Sequence, residues 1–198
     1  MVNIRVLPRI RKSGRGREMT ESMEIRAIAF DLDGTLYPEY RILFPSLMIA
    51  LRHPRLIYYF SRVRKEIRML SPISNYKEAQ ATLLARYLGK SVAETSNLVE
   101  TVIYQRWIRS IHRMKPYRGM RRLIERVRAA GLKTAVLSDL PVKDKLVYLG
   151  LEGIWDAAFT SEETNYLKPH RAPFDRLIRE LGEKPEHIIY IGNNYLYD

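Results

Sequence analysis

The 198-residue chain contains no cysteine and only four histidines. Without cysteine there is no disulfide framework, no thiol catalysis and no cysteine-ligated zinc, and such a composition suits a reducing cytoplasm. His53, His112, His170 and His187 include no pair at i and i+4, so zinc has no support from histidine either. Long apolar runs are also lacking. The most continuous one, Ile42 to Leu51, is about half of what a membrane span needs. No apolar block follows the basic N-terminus at signal-peptide distance, and no glycine-rich loop of the P-loop or dinucleotide type occurs. Secretion by that route, kinase-like chemistry and NAD chemistry are therefore not indicated. Hydrophobic residues make up 46% and charged residues 28%, which is too apolar for a disordered chain. The length suits one sizeable domain, or a core carrying a smaller insertion.

Charge is distributed unevenly. The formal net charge is +12, yet residues 36–118 alone carry 15 basic and 5 acidic side chains, while residues 119–198 balance at 12 and 12. A basic middle segment attracts anions: a phosphorylated metabolite, nucleic acid or an acidic membrane surface. A solvated arginine-rich helical face gives the same count, so the sign restricts the partners without choosing one.

Residues 1–22, with six basic and two acidic side chains and Gly14 and Gly16, read as a basic, disordered arm or as an artefact of start-site choice, since Met19 and Met23 lie just before the first strand. Glu24 to Phe30 (EIRAIAF) is a short apolar run with β-branched and aromatic content, a buried strand that ends in the polar turn Asp31-Leu-Asp-Gly-Thr. The next hundred residues carry helical periodicity. Pro54 interrupts it, and Leu56, Ile57, Phe60, Val63, Ile67 and Leu70 then recur at helical spacing. Asn75 with Glu78 predicts a helix start, Gly89 its end, and Ser91 with Glu94 a capping box for the next helix. Tyr58, Tyr59 and Phe60 are expected in the core of this helical block, although HPRLIYYFSRVRKEIR also has the character of a helix lying on an anionic membrane. From Gly119 onward strands alternate with helices: helix 120–130, strand 132–137, a helix opened by Pro141, a weak strand 157–160, a helix opened by Pro173 and strand 187–191. This order predicts a parallel α/β sheet with the helical block inserted after its first strand.

Successive strand ends and one loop deliver polar groups: Asp31 and Asp33, Ser138, Lys168, and Asn193 with Asp198. In an open parallel sheet the carboxyl ends of strands are where ligands bind. Any one of these residues alone would pass for a turn or helix cap. Their sequence contexts are FDLDGTLY (Phe30 to Tyr37), VLSD (Val136 to Asp139), YLKPH (Tyr166 to His170) and IIYIGNNYLYD (Ile188 to Asp198). In that order, over residues 24–198, they resemble the four motifs of the haloacid dehalogenase superfamily, whose members are mostly phosphatases.

The resemblance implies a Rossmann-like α/β core (residues 23–37 and 116–198) and an inserted α-helical cap (residues 38–115) that selects the substrate. It implies Asp31 as nucleophile, forming an aspartyl-phosphate, and Asp33 as the group that protonates the leaving oxygen and then deprotonates water. Gly34 permits the tight turn between them. Gly34, Thr35, Ser138, Asp139 and Lys168 would bind the phosphate, with Lys168 offsetting repulsion between it and the carboxylates. Magnesium would be held by Asp31, the Asp33 carbonyl and the fourth motif, Asn193 or Asp198. Two roles stand open for Asp198, metal ligand or orienting partner of Lys168. Asn193 departs from the aspartate common at its position, which predicts weaker metal affinity. Asp33 argues for phosphoryl transfer over carbon–halogen hydrolysis, because the dehalogenases of the superfamily lack that second acid.

The expected function is magnesium-dependent hydrolysis of a small anionic phosphorylated metabolite. A phosphomutase on the same scaffold and a non-catalytic module binding nucleic acid or acidic membrane are the alternatives. Arg41, Arg52, His53 and Arg55 are the candidates for substrate contact from the cap. Members of the superfamily usually continue past the fourth motif, so the stop at Asp198 reads as a truncation that leaves this acid at a fraying terminus.

Overall fold

A computed structural model describes residues 3–6, 24–70 and 73–198. The elements, in chain order, are β1 (Asn3–Val6), β2 (Ala27–Phe30), α1 (Leu43–Arg52), α2 (Pro54–Met69), α3 (Tyr76–Leu88), α4 (Val92–Leu98), α5 (Ile108–Ser110), α6 (Met120–Ala129), β3 (Lys133–Ser138), α7 (Lys143–Tyr148), β4 (Ala157–Thr160), α8 (Arg171–Leu181) and β5 (Ile188–Gly192). The strands form one sheet in the order β1-β5-β2-β3-β4. β5, β2, β3 and β4 run parallel, and β1 pairs antiparallel with β5.

β1 corrects the expectation for the basic arm. Asn3 to Val6 lies opposite Gly192 to Ile189 and adds an edge strand, so residues 1–22 are not disordered throughout. Backbone pairing along β5 satisfies the amide and carbonyl groups of a segment too short to be recognised alone. Residues 7–23 lie outside the described residues.

Alternation along the central strands fills both faces of the sheet. Ala27, Ala29, Ala135, Leu137 and Phe159 pack with Leu177 and Leu181 of α8 on one side. Phe30 and Val136 pack with Ile124 of α6 and Leu146 of α7 on the other. The register sets Phe30 beside Val136 and Ile191. The residues that follow, Asp31, Ser138 and Gly192, therefore emerge at one end of the sheet.

The helices from α1 to α5 stand between β2 and β3 in the chain. Leu56, Phe60, Val63 and Ile67 of α2 meet Tyr76 and Leu84 of α3 in a core of their own. Pro54 separates α1 from α2, where its ring prevents one continuous helix. Asn75 caps α3 and Gly89 ends it in the left-handed conformation, while Ser91 and Glu94 form the capping box of α4. Two details differ from the periodicity. Val99–Trp107 continues α4 as a π-helix instead of regular α turns. Tyr58 is 63% exposed because it lies across the helix from Leu56, Phe60 and Val63, whereas Phe60 is buried and Tyr59 stacks on Tyr87 with ring centroids 4.9 Å apart.

Candidate active site

Asp31 follows β2 directly. Its amide donates to the Ile191 carbonyl at 2.8 Å, so the ladder carries on through the residue and fixes where its side chain begins. The carboxylate is 5% exposed. Lys168 Nζ donates to its Oδ1 at 2.8 Å and Thr35 Oγ1 to its Oδ2 at 3.3 Å. Burial pushes the Asp31 carboxyl up to about 6, against the pull of Lys168 and with Asp198 and Asp33 adding to the rise.

The turn after Asp31 brings Asp33 back to the same end. Thr35 and Leu36 amides both donate to the Leu32 carbonyl, and Gly34 sits at φ +83°. A Cβ built on Gly34 would lie 2.0 Å from Asn193 Nδ2, so the glycine is required by both its backbone conformation and the approach of the fourth motif. A second close approach occurs at Gly192, where a Cβ would meet the Asp198 carboxylate at 2.3 Å.

Asp33 has acquired partners that its sequence context does not announce. Lys145 Nζ donates to both its oxygens, at 2.8 and 2.7 Å, and the Tyr37 hydroxyl donates to Oδ1. Ser138 Oγ, expected at a phosphoryl oxygen, donates to Asp33 Oδ2 at 3.1 Å. Burial works to raise the Asp33 carboxyl, but Lys145, Tyr37 and Ser138 outweigh it and hold the group below the usual carboxylate range. Asp33 is therefore charged in this state of the site.

Lys168 is 3% exposed and lies at the centre of the constellation. Besides Asp31, its ammonium donates to the Tyr190 hydroxyl at 3.1 Å and to Asp198 Oδ1. Burial opposes its charge, yet Tyr190, Asp31 and Asp198 hold it well above its ordinary value. The other Asp198 oxygen accepts the Asn194 amide at 2.8 Å. Asp198 is thus engaged at both oxygens, one by Lys168 and one by the main chain of its own loop.

Asp139 faces away from a phosphate-binding role for its side chain. Its carboxylate accepts Arg68 Nη2 at 2.6 Å, Ser161 Oγ at 2.6 Å and the Lys168 amide at 3.0 Å. Burial would raise this carboxyl, but Lys168, Arg64, Ser161 and Arg68 together keep it low. An anion so engaged would repel a phosphate, which leaves Asp139 only its backbone to offer one.

The helical insertion reaches the site through residues other than those picked out by position. Arg52 and Arg55 are exposed, Arg55 donates to the Tyr87 carbonyl, His53 is half-buried, and Arg41 lies outside the described side chains. Arg64 and Arg68 of α2 make the contact instead. Arg64 donates to Glu162 at 2.6 Å and to the Asp139 carbonyl at 2.6 Å, with the Tyr76 and Tyr104 hydroxyls closing the network around it. His170 caps α8 by accepting the Ala172 amide, so it serves the helix and not the acids.

Among the described residues, no group of three or more histidine or acidic side chains is placed to hold a metal ion. An oxygen set with a single carboxylate nevertheless fits magnesium, which takes one or two carboxylates and completes its shell with water and substrate oxygens. Asp31, the Asp33 carbonyl and the Asn193 amide, which approaches the Gly34 turn, are the groups that would supply such a set. A cavity of about 360 Å³ opens elsewhere, between the insertion and α7, bordered by Lys77, Tyr104, Arg109, Pro141, Asp144 and Tyr148. The site acids are not among its walls.

The sequence profile of the haloacid dehalogenase-like hydrolases matches residues 25–198. The chain belongs to this family. Among the relatives in the haloacid dehalogenase-like hydrolases is the glyceraldehyde 3-phosphate phosphatase of Methanocaldococcus jannaschii, 28% identical over 177 residues, 85% of this chain and 76% of that protein. Pyrophosphatase PpaX of Bacillus mycoides is 22% identical over 185 residues, 87% of this chain and 77% of that one. In fold, the chain resembles the family member YfnB from Bacillus subtilis, solved bound to magnesium, with a TM-score of 0.58 at 15% identity over 88% of this chain and 82% of that one. The L-2-haloacid dehalogenase of Xanthobacter autotrophicus gives 0.52 at 18% identity over 83% and 68%.

Tyr37 lies in the first motif with no role assigned to it there, and Lys145, Arg64 and Arg68 lie outside the motifs. Two of them left a signal. Lys145 falls on the apolar face of α7 with Val142, Leu146 and Leu149, and Arg64 falls between Phe60, Val63 and Ile67 on α2. A cation inside an apolar stripe requires a buried partner.

Proposed function

We propose that the chain hydrolyses phosphate monoesters through a phosphoryl-enzyme formed on Asp31, and that the helical insertion is a cap over the site. The observation that carries this reading is a buried carboxylate at the end of the central strand, held 2.8 Å from a buried lysine and followed two residues later by a second acid. The named relatives that hydrolyse phosphate compounds support the same chemistry.

In the first step an Asp31 oxygen attacks phosphorus and the ester oxygen departs, taking a proton. Lys168 neutralises charge as the phosphate approaches Asp31. Water then attacks the phosphoryl-enzyme, releasing inorganic phosphate and restoring the Asp31 carboxylate. Asp33 is charged in the described state, which is the form that takes a proton from that water. Donating a proton to the leaving oxygen requires the protonated form, so the grip of Lys145, Tyr37 and Ser138 has to loosen in the first step. Ser138, released from Asp33, would donate to a phosphoryl oxygen together with the backbone of the Gly34–Thr35 turn. Asp31, the Asp33 carbonyl and Asn193 would hold magnesium, which supplies positive charge to the transferring phosphoryl group. The basic insertion favours a small substrate with negative charge beyond the phosphate removed.

The reading is tested by inorganic phosphate release from an aryl phosphate, followed by a panel of anionic sugar and acid phosphates, with magnesium and with chelator. Turnover that requires magnesium and falls at least about 1,000-fold in Asp31→Asn is the expected result. An isomerised phosphate ester in place of free phosphate would show a mutase. Salt-sensitive nucleic-acid binding without turnover would show a binding module.

A further inference from the structure

One side chain of the helical insertion touches three of the four site motifs. Arg68, in the last turn of α2, donates through Nη2 to Asp139 Oδ2 at 2.6 Å and through Nε to the Lys168 carbonyl at 3.0 Å. Its guanidinium also lies 4.3 Å from the centroid of the Tyr197 ring, next to Asp198. Asp139 passes the contact on, because its other oxygen accepts the Lys168 amide at 3.0 Å. Arg68 thus holds Lys168 by the main chain on both sides, once directly and once through Asp139.

The ammonium at the other end of Lys168 is what bonds Asp31 and Asp198. One turn earlier on α2, Arg64 donates to the Asp139 carbonyl. Both arginines therefore bear on Asp139, one on its backbone and one on its side chain.

We propose that Arg68 is a positioning residue: when the cap is seated, its guanidinium sets the main chain of Lys168 and thereby the place of the ammonium against Asp31. The inference rests on the phosphatase reading for its kinetic consequence, while the geometric consequence stands apart from it. An arginine suits the task because its planar fork makes two directed bonds at once, which a lysine does not reproduce. Lifting α2 away would break both bonds and leave the main chain of Lys168 without them, while its ammonium keeps Asp31, Tyr190 and Asp198.

Arg68→Ala, Arg68→Lys and the control Arg62→Ala, an exposed α2 residue paired with Glu66, are compared with the wild type in two measurements. The first is turnover of an aryl phosphate. In Arg68→Ala kcat is expected to fall about 50-fold with KM within about threefold, since misplacement of a reacting group by an ångström costs on the order of 100-fold. Added guanidinium is expected to restore about tenfold of it, Arg68→Lys to lie between the two, and Arg62→Ala to match the wild type. The second is hydrogen exchange at the Lys168 amide, expected to quicken about tenfold in Arg68→Ala while Ala135 in β3 is unchanged.

Wild-type kcat with unchanged exchange in a folded Arg68→Ala overturns the proposal. So does a loss that appears in KM, which would make Arg68 a substrate contact, or a kcat loss without faster exchange or guanidinium rescue. Should Arg68→Ala not fold, Asp139→Asn and Arg68→Lys carry the same comparison. A wild type that releases no phosphate sinks the phosphatase reading, and the exchange measurement still decides the role of Arg68.

Discussion

Asp31 illustrates how burial and pairing compete at a single carboxylate. Two hydrogen bonds, one of them from a lysine, do not compensate for its removal from water, and its carboxyl rises from an ordinary 3.8 to about 6. Only the carboxylate attacks phosphorus. In the metal-free protein that carboxylate is expected to form as pH rises through about 6, followed by the carboxyl-carbon chemical shift of Asp31 against pH. The sign for stability is opposite. A carboxyl whose folded pKa lies above its unfolded value destabilises the fold as pH rises through the window from 3.8 to about 6. Asp31→Asn should consequently melt at or above the wild-type temperature at neutral pH, which also makes it a folded control. A melting temperature several degrees lower would show that the bond to Lys168 outweighs burial.

At the same scale, the sequence marked acids and a lysine that the fold brings to one end of the sheet, but not how they pair. Asp31, Asp33, Ser138, Lys168 and Asp198 stand at strand ends or in their loops, where local pattern places them. Lys145 against Asp33, and Ser138 turned toward Asp33, depend on β2, β3 and α7 meeting in three dimensions. Spacing along the chain carries no record of that.

Among the elements, α2 is the one through which insertion and core hold each other. Its inner face combines an apolar stripe with Arg64, whose partner Glu162 is also buried. Burial raises the Glu162 carboxyl even beside the arginine, the mark of a pair whose desolvation is not fully offset. Arg64→Ala, which strands Glu162, is expected to cost about 3–5 kcal/mol in urea unfolding. Arg64→Met with Glu162→Gln is expected to recover more than half of that loss, because the amide keeps the Tyr104 hydroxyl as a partner. Equal losses in the two proteins would contradict the explanation.

The caps and the parallel strands of this scale were legible because their signals are local: Asn75 with Glu78, Ser91 with Glu94, and apolar runs of strand length. β1 was not, since four residues within a basic segment become a strand only by pairing with β5. Nor was the π-helical stretch from Val99, where tertiary packing overrides the regular turn.

Across the whole molecule, the basic excess of residues 36–118 divides into two uses. Arg64 and Arg68 spend their charge on Glu162 and Asp139 of the core, whereas Arg52, Arg55 and Lys65 face solvent. Net charge alone therefore overstates what is available to an anionic partner. No helix of the described residues is long and apolar enough to cross a membrane. The sheet brings Asp31, Ser138 and the fourth motif to one end, and α2 of the insertion contacts that end through Arg64 and Arg68. Sequence, fold and family agree on a haloacid dehalogenase-like hydrolase, and the chemistry proposed for it centres on Asp31.

The most direct test is an acid quench during turnover of a phosphate ester with magnesium, followed by mass spectrometry of the peptides. The account predicts a phosphoryl group on the peptide bearing Asp31, removed by hydroxylamine as an acyl phosphate is, and missing from Asp31→Asn. Phosphate release at the wild-type rate by Asp31→Asn, or a phosphoryl group on another residue, would contradict it.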